Sequence, residues 1–239
     1  MTKQEILYGD AYKLIKEIPN KSIDLIYTDV PYLYKTGGGG ESEISKRIIA
    51  KKESIKDISN GIDYSILAEF KRVLKKINLF VWCSKMQIID ILNYFADYNF
   101  EILVWCKTNP QPSTNNVWLP DVEYCLYFRE KGVRLNDGYD LKSKWYLGAI
   151  NQRDKKLYNH PTIKPLDLVE RHIKETTQVG GVVLDAFLGS GTTAVACKEL
   201  ERNFIGFEIN KAYYEIAIDR LKGVNQIEKQ AKIEQLKLF

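Results

Sequence analysis

The chain has 239 residues, 45% of them hydrophobic and 28% charged, which suits one large domain or a domain with a small insertion. No apolar span approaches the roughly 20 residues that cross a bilayer and no N-terminal signal pattern is present, so a membrane protein is excluded and a cytoplasmic one is expected. A net charge of +4 is compatible with nucleic acid without demanding it, while four cysteines lacking C-x-x-C spacing, beside only two histidines, argue against a metal and for reduced core thiols.

Along the chain, apolar runs bounded by turn residues alternate with stretches of helical period. A strand over 6–8 ends in Tyr8-Gly9-Asp10 and precedes a helix over 11–18. The next strand, 24–28, runs into Asp29-Val30-Pro31-Tyr32. Residues 35–61 then break the pattern. Gly37-Gly38-Gly39-Gly40 leads into Lys46, Arg47, Lys51, Lys52 and Lys56, which suits a basic loop or small inserted helix, either solvated or touching nucleic acid. Helix 64–75, strand 79–83, helix 85–98 and strand 102–105 follow. A polar loop comes next, Asn109-Pro110-Gln111-Pro112 with Asn115, Asn116 and Trp118, and it could face a substrate. After a strand over 123–128, residues 129–159 mix cations and rings, among them Arg129, Lys142, Trp145, Tyr146 and Arg153, that suit phosphates and stacked bases. The remainder is helix 165–176, strand 182–185, a glycine turn, helix 192–200, strand 204–208, helix 211–221 and a helical tail over 222–239. Such alternation implies a doubly wound α/β fold: a mostly parallel, seven-stranded sheet with ligands at the carboxyl ends of its strands.

Asp29-Val30-Pro31-Tyr32 offers a carboxylate, a backbone carbonyl beside a proline and an aromatic face within one turn. The carboxylate and carbonyl can accept both N–H groups of an exocyclic amine while the ring stacks on the base carrying it. Trp82 and Trp105 suit packing instead. Further on, the strand ending in Asp185 passes through Ala186-Phe187-Leu188-Gly189-Ser190-Gly191 into a helix that begins with Thr192-Thr193. Glycines let the backbone approach a ligand closely, and a helix N-terminus favours an anion such as an amino-acid carboxylate. The next strand ends in Glu208, placed to bind both hydroxyls of a ribose. The turn lacks the third spaced glycine of the dinucleotide fingerprint, so one nucleoside with a carboxylate tail fits better than a nicotinamide cofactor.

Between tetrapeptide and glycine turn lies His160-Pro161-Thr162-Ile163-Lys164-Pro165. With these motifs in this order, nearly the whole chain resembles the S-adenosylmethionine-dependent DNA amino-methyltransferases, most closely the adenine N6 enzymes of the beta class. The resemblance implies S-adenosylmethionine as methyl donor. It further implies that Asp185, Phe187, Gly189, Ser190, Gly191 and Thr192 form the methionine-binding turn, Glu208 binds the ribose, Asp10 borders the donor's adenine, and Thr162, Lys164 and Pro165 wrap the methionine end. Asp29, Val30, Pro31 and Tyr32 become the catalytic tetrapeptide, and the partner becomes DNA, as a duplex with a flipped target base or as a single strand. One methyltransferase domain over 1–239 follows, with 35–61 as an insert and 129–159 as a short target-recognition region. The implied seven-stranded sheet has one antiparallel member, and the motif order is circularly permuted, so the two ends of the chain should meet. A homodimer is compatible with it, since many members pair.

One position departs from the family. Its tetrapeptide is usually Asp-Pro-Pro-Tyr, and Val30 replaces the first proline, restoring an N–H and some backbone freedom. Pro31 still pushes Val30 towards extended conformations, so activity is expected. Two other readings stand beside the adenine enzyme: a cytosine N4 methyltransferase, because both amines are held alike, and a catalytically silent nucleic-acid-binding subunit of the same fold. An acidic first residue in the tetrapeptide favours adenine, and the intact motifs argue against a silent subunit.

Overall fold

The structure is a computed structural model that describes residues 4–33, 61–112, 118–136, 142–150, 152–158 and 162–223. The expectations for the glycine run and its basic insert, and for Asn115, Asn116, His160, Pro161 and the C-terminal tail, lie outside these residues.

The strands are β1 (Gln4–Tyr8), β2 (Leu25–Asp29), β3 (Asn78–Cys83), β4 (Asn99–Lys107), β5 (Val122–Arg129), β6 (Trp145–Gly148), β7 (Val182–Asp185) and β8 (Asn203–Glu208). They form one sheet in the order β1-β8-β7-β2-β3-β5-β4-β6. Only β5 runs against its neighbours, being antiparallel to both β3 and β4, while the other pairs are parallel. The mostly parallel sheet with one antiparallel strand is therefore as expected. Its eighth strand, β6, is not. β6 lies within 129–159, the stretch of mixed cations and rings given no strand from sequence, and both Trp145 and Leu147 are exposed, so no buried alternation marks it as one. Its pairing along β4, Val104 opposite Trp145, makes it one.

The helices are α1 (Ala11–Leu14), α2 (Ile66–Val73), α3 (Ile88–Tyr94), α4 (Gln152–Leu157), α5 (Leu166–Thr176), α6 (Thr192–Glu199) and α7 (Lys211–Leu221). Several are shorter than their apolar periodicity suggests. After α1 the chain tightens into a 3₁₀ turn, Ile15–Glu17, and Ile18 turns extended before Pro19, as the ring of a following proline requires.

Period-two alternation in the central strands separates two cores. Ile26, Leu79 and Val81 point to one face, where Ile15, Leu67, Phe70 and Ile91 cover them. Leu25, Tyr27, Phe80 and Trp82 point to the other, against Leu168, Ile173, Ala194 and Cys197. Because both faces are covered, β3 is buried along its whole length. Each such apolar side chain contributes roughly 1.5–3 kcal/mol by leaving water.

β1 pairs with β8 and packs against α7, so the first and last described elements are neighbours, as the permuted order implies. Cys83, Cys125 and Cys197 are buried free thiols, while Cys106 is half-buried. No helix among the described residues is long and apolar enough to cross a membrane.

Candidate functional site

The parallel strands β1, β8, β7 and β2 end along one edge of the sheet, and a cavity of about 310 Å³ opens there. One wall is the glycine turn and the other the tetrapeptide. Among the described residues no group of His, Cys, Asp and Glu could hold a metal ion.

On the glycine side, β7 delivers Asp185 into the interior. Its carboxylate accepts hydrogen bonds from the Thr28 hydroxyl (3.0 Å), the Phe187 N–H (3.1 Å) and the Thr193 hydroxyl (2.7 Å). Burial pushes its pKa up to about 7, with these bonds opposing the shift. Gly189 and Gly191 take positive φ, 56° and 82°. A Cβ on Gly191 would lie 2.9 Å from that of Ala217 on α7, so the turn needs glycine for its conformation and for this close approach.

Glu208, at the end of β8, accepts from the Gly189 N–H and the Asn210 N–H, both at 2.7 Å. Desolvation raises its pKa while these backbone donors lower it. Ser190 and Thr192 are held from behind: buried Arg220 donates to the Thr192 hydroxyl at 2.8 Å and reaches the Ser190 carbonyl and hydroxyl at 3.4 Å. Asp10 lines the cavity and caps α1, accepting from the Tyr12 N–H at 2.9 Å. Phe187 is a cavity wall, half-buried, with its ring edge to face with Tyr12 at 6.3 Å.

The tetrapeptide side is built from distant parts of the chain. Asp29 ends β2, and its Oδ2 accepts from the Lys164 ammonium at 2.5 Å. Its Oδ1 is buried and meets no hydrogen-bond donor among the described residues. Lys164, itself buried, also pairs with Glu123 of β5 at 3.0 Å and lies over the Trp82 ring at 5.1 Å. Glu123 binds Lys107 of β4 at 2.8 Å and accepts from the Tyr32 hydroxyl at 3.3 Å. Burial raises the pKa of Asp29, and Lys164 opposes the shift. The two lysines outweigh burial at Glu123 and pull its pKa down to about 2.

The backbone of the tetrapeptide is pinned as well. The Val30 N–H, present because proline is absent, donates to the Trp82 carbonyl at 3.1 Å and carries the β2–β3 pairing one step further. The Pro31 carbonyl accepts from Nε2 of Gln87 at 3.0 Å. Gln87 is fully buried; its Oε1 accepts from the N–H groups of Leu33 and Ser84 and from the Ser84 hydroxyl.

The structure thus gathers Asp10, Asp29, Val30, Pro31, Tyr32, Thr162, Lys164, Asp185, Phe187, Gly189, Ser190, Thr192 and Glu208 around one cavity. Pro165 and Gly191 stand outside the wall: Pro165 caps α5, and Gly191 lies against Ala217 of α7. Lys164 places its ammonium with Asp29 and Glu123, on the tetrapeptide side, rather than against the glycine turn. Sequence reasoning missed Glu123, Lys107, Gln87 and Arg220. One signal for Glu123 was available: an acid in the buried run Val122–Arg129 needs a cation nearby.

His172 lies outside the site as a core residue, stacked on Phe80 and hydrogen-bonded with the Tyr27 hydroxyl at 3.3 Å; burial lowers its pKa to about 3. Trp118 is almost fully exposed and Trp105 is a buried packing residue as expected, whereas buried Trp82 also lines the cavity.

Comparison with known proteins agrees with this geometry. The family model described as DNA methylase, covering N6 and N4 enzymes, matches residues 23–219. The type II methyltransferase M2.DpnII of Streptococcus pneumoniae is 30% identical, the match covering 94% of this chain and 91% of that protein. M2.LlaDCHI of Lactococcus lactis subsp. cremoris is also 30% identical, over 90% of this chain and 88% of its own. Among solved structures, an M1.HpyAVI–SAM complex superposes with a TM-score of 0.65 at 26% identity, covering 91% of this chain and 99% of the other. A glycine turn and the Asp29-Val30-Pro31-Tyr32 tetrapeptide face one cavity, and with the family model matching from β2 to α7 this protein is a member of the N6/N4 DNA methylase family.

Proposed function

We propose that this DNA methyltransferase acts on the N6 amine of adenine. The observation that carries the reading is Asp29, whose buried Oδ1 meets no donor among the described residues although it lines the same cavity as the glycine turn. A buried carboxylate oxygen left without a donor costs roughly 1–3 kcal/mol, so the site favours a ligand that brings an N–H. An exocyclic amine brings two, one for Asp29 and one for the Val30 carbonyl. An acid at the head of the tetrapeptide supports adenine over cytosine.

The residues present fit S-adenosylmethionine. The turn through Gly189 and Ser190 lines the cavity at the start of α6, where a carboxylate is favoured, and Glu208 stands at the next strand end for the ribose. Bound there, the group supplies a methyl on a sulfonium. The rest falls to this chain. An adenine amine is a weak nucleophile because its lone pair is delocalised into the ring. By accepting both N–H groups, Asp29 and the Val30 carbonyl favour a pyramidal nitrogen with its lone pair aimed across the cavity, and Tyr32 stacks on the base. Positioning and electrostatics then suffice, and the thiols at Cys83 and Cys125, pushed up by burial, are not needed as nucleophiles.

The target base has to leave the duplex to enter this cavity, at a cost of a few kcal/mol that stacking and hydrogen bonds offset. In this reading the chain is one catalytic unit, with residues 129–159 as its target-recognition region. Mass spectrometry of DNA digested after incubation with the protein and S-adenosylmethionine tests the assignment. N6-methyladenine that disappears with Asp29→Ala is the expected result; N4-methylcytosine in its place would refute it.

A further inference from the structure

We propose that Lys164 and Glu123 are positioning residues for Asp29: Lys164 engages Oδ2 and so makes Oδ1 the oxygen left for the target amine, while Glu123 anchors Lys164 and Tyr32 together. The proposal rests on the amine-methylating reading and names the groups that prepare that site.

Asp29 carries two equivalent oxygens on a side chain that can rotate. At 2.5 Å from Oδ2, the Lys164 ammonium removes that freedom, since turning the carboxylate would break a charged hydrogen bond inside a buried site. The remaining oxygen is the one without a donor. Glu123 does for Lys164 what Lys164 does for Asp29. Its Oε2 lies 3.0 Å from the ammonium and 3.3 Å from the Tyr32 hydroxyl, and its Oε1 is held at 2.8 Å by Lys107. One carboxylate on the antiparallel strand therefore sets both the cation behind Asp29 and the ring that stacks on the base. Asp29 and Glu123 balance Lys107 and Lys164 in charge, so the cluster is neutral and tolerates burial.

The groups facing Asp29 are Lys164 ahead of α5, Glu123 and Cys125 on β5, Tyr32 in its own turn, Tyr27 on β2, Cys83 on β3 and Asp185 on β7. Glu123 stays ionised and Lys164 protonated throughout the range in which a carboxyl such as Asp29 titrates, and burial keeps the Tyr27, Cys83 and Cys125 side chains neutral. Asp185, raised by burial to about 7, titrates beside it in every variant, itself untouched by either substitution. The two nearest charges then act with opposite sign: the cation lowers the Asp29 pKa and the anion raises it.

The test is a carbon-13 NMR titration of the Asp29 carboxyl, assigned with Asp29→Asn, in wild type, Lys164→Met and Glu123→Gln, alongside calorimetric binding of S-adenosylmethionine and steady-state methyl transfer. Lys164→Met should raise the Asp29 midpoint by about one pH unit or more, Glu123→Gln should lower it, and both should bind S-adenosylmethionine within about threefold of wild type while kcat falls at least tenfold. Opposite shifts are a signature that general loosening of the fold cannot produce. Glu123→Asp, which keeps the charge, should restore the wild-type midpoint. An unmoved midpoint in Lys164→Met together with lost S-adenosylmethionine binding would assign Lys164 to the donor and overturn the proposal. A Glu123→Gln protein with unchanged midpoint and kcat would overturn it too. The titration does not depend on which base is methylated, so finding N4-methylcytosine would refute adenine and leave these shifts to decide the roles of Lys164 and Glu123.

Discussion

The two walls of the cavity differ in where their hydrogen bonds come from. On the glycine side most donors come from close by: Asp185 accepts from the Phe187 N–H and the Thr193 hydroxyl, with the Thr28 hydroxyl its one remote donor, and Glu208 accepts from Asn210 and from Gly189 of the adjoining turn. On the tetrapeptide side Asp29 depends on a lysine far along the chain, that lysine depends on a glutamate of the antiparallel strand, and one carboxylate oxygen still lacks a donor. The first wall meets its carboxylates with donors of its own, whereas the second, on the proposed reading, leaves an acceptor for the target amine.

The sharpest way to break this contrast is to damage each wall alone. Valine at Gly191 meets both a positive φ of 82° and Ala217, a strain of roughly 1–3 kcal/mol or more, so Gly191→Val should weaken S-adenosylmethionine binding by about 100-fold in calorimetry. Asp29→Asn should bind it within about threefold of wild type, yet lose about 100- to 1000-fold in kcat. Parallel losses of affinity in both variants would show that the walls are not separable.

Acid should sharpen the contrast next, because a buried base in the core beneath β2 and β3 and a buried acid at the glycine turn respond in opposite directions. His172 has a folded-state pKa near 3, below its ordinary 6.5, so as pH falls through that window the unfolded chain takes a proton that the fold refuses. Stability attributable to His172 is then lost, by a few kcal/mol. Asp185, raised from 3.8 to about 7, is protonated first in the fold, so its contribution grows as pH falls from 7 towards 4. Urea unfolding at pH 7.5 and pH 5 checks both signs: His172→Phe should flatten the loss on acidification, and Asp185→Asn should steepen it. Wild-type slopes in both variants would sink the argument.

The smallest effect concerns Val30. Proline there removes the N–H that meets the Trp82 carbonyl, costing about 1 kcal/mol, and the stiffer unfolded chain returns part of that. Val30→Pro should therefore lower Tm by no more than about 4 °C and change kcat by less than about threefold. A larger fall in kcat would mean that the extra β2–β3 hydrogen bond shapes the catalytic geometry.

The glycine side was legible because its parts are local: a strand, two glycines, a helix start, and an acid one crossover later. The same holds for the central strands, whose unbroken apolar runs declare burial on both faces. β6 and α4 were not legible, since neither Trp145–Gly148 nor Gln152–Leu157 carries a buried periodicity, and pairing with β4 makes the one a strand. Lys164 was legible as a site residue from its motif but not as the partner of Asp29, and Glu123 and Gln87 carried no local signal strong enough to place them.

By itself, then, the sequence determined the alternation of strands and helices, the cofactor turn and the chemistry available at Asp29-Val30-Pro31-Tyr32, because these depend on residues a few positions apart. Only the tertiary structure decided how that chemistry is armed. Strand order brings β5 beside β3 and the segment ahead of α5 over β2, and there the charges of Glu123, Lys164 and Asp29, remote in the chain, meet in a buried place where each needs the next.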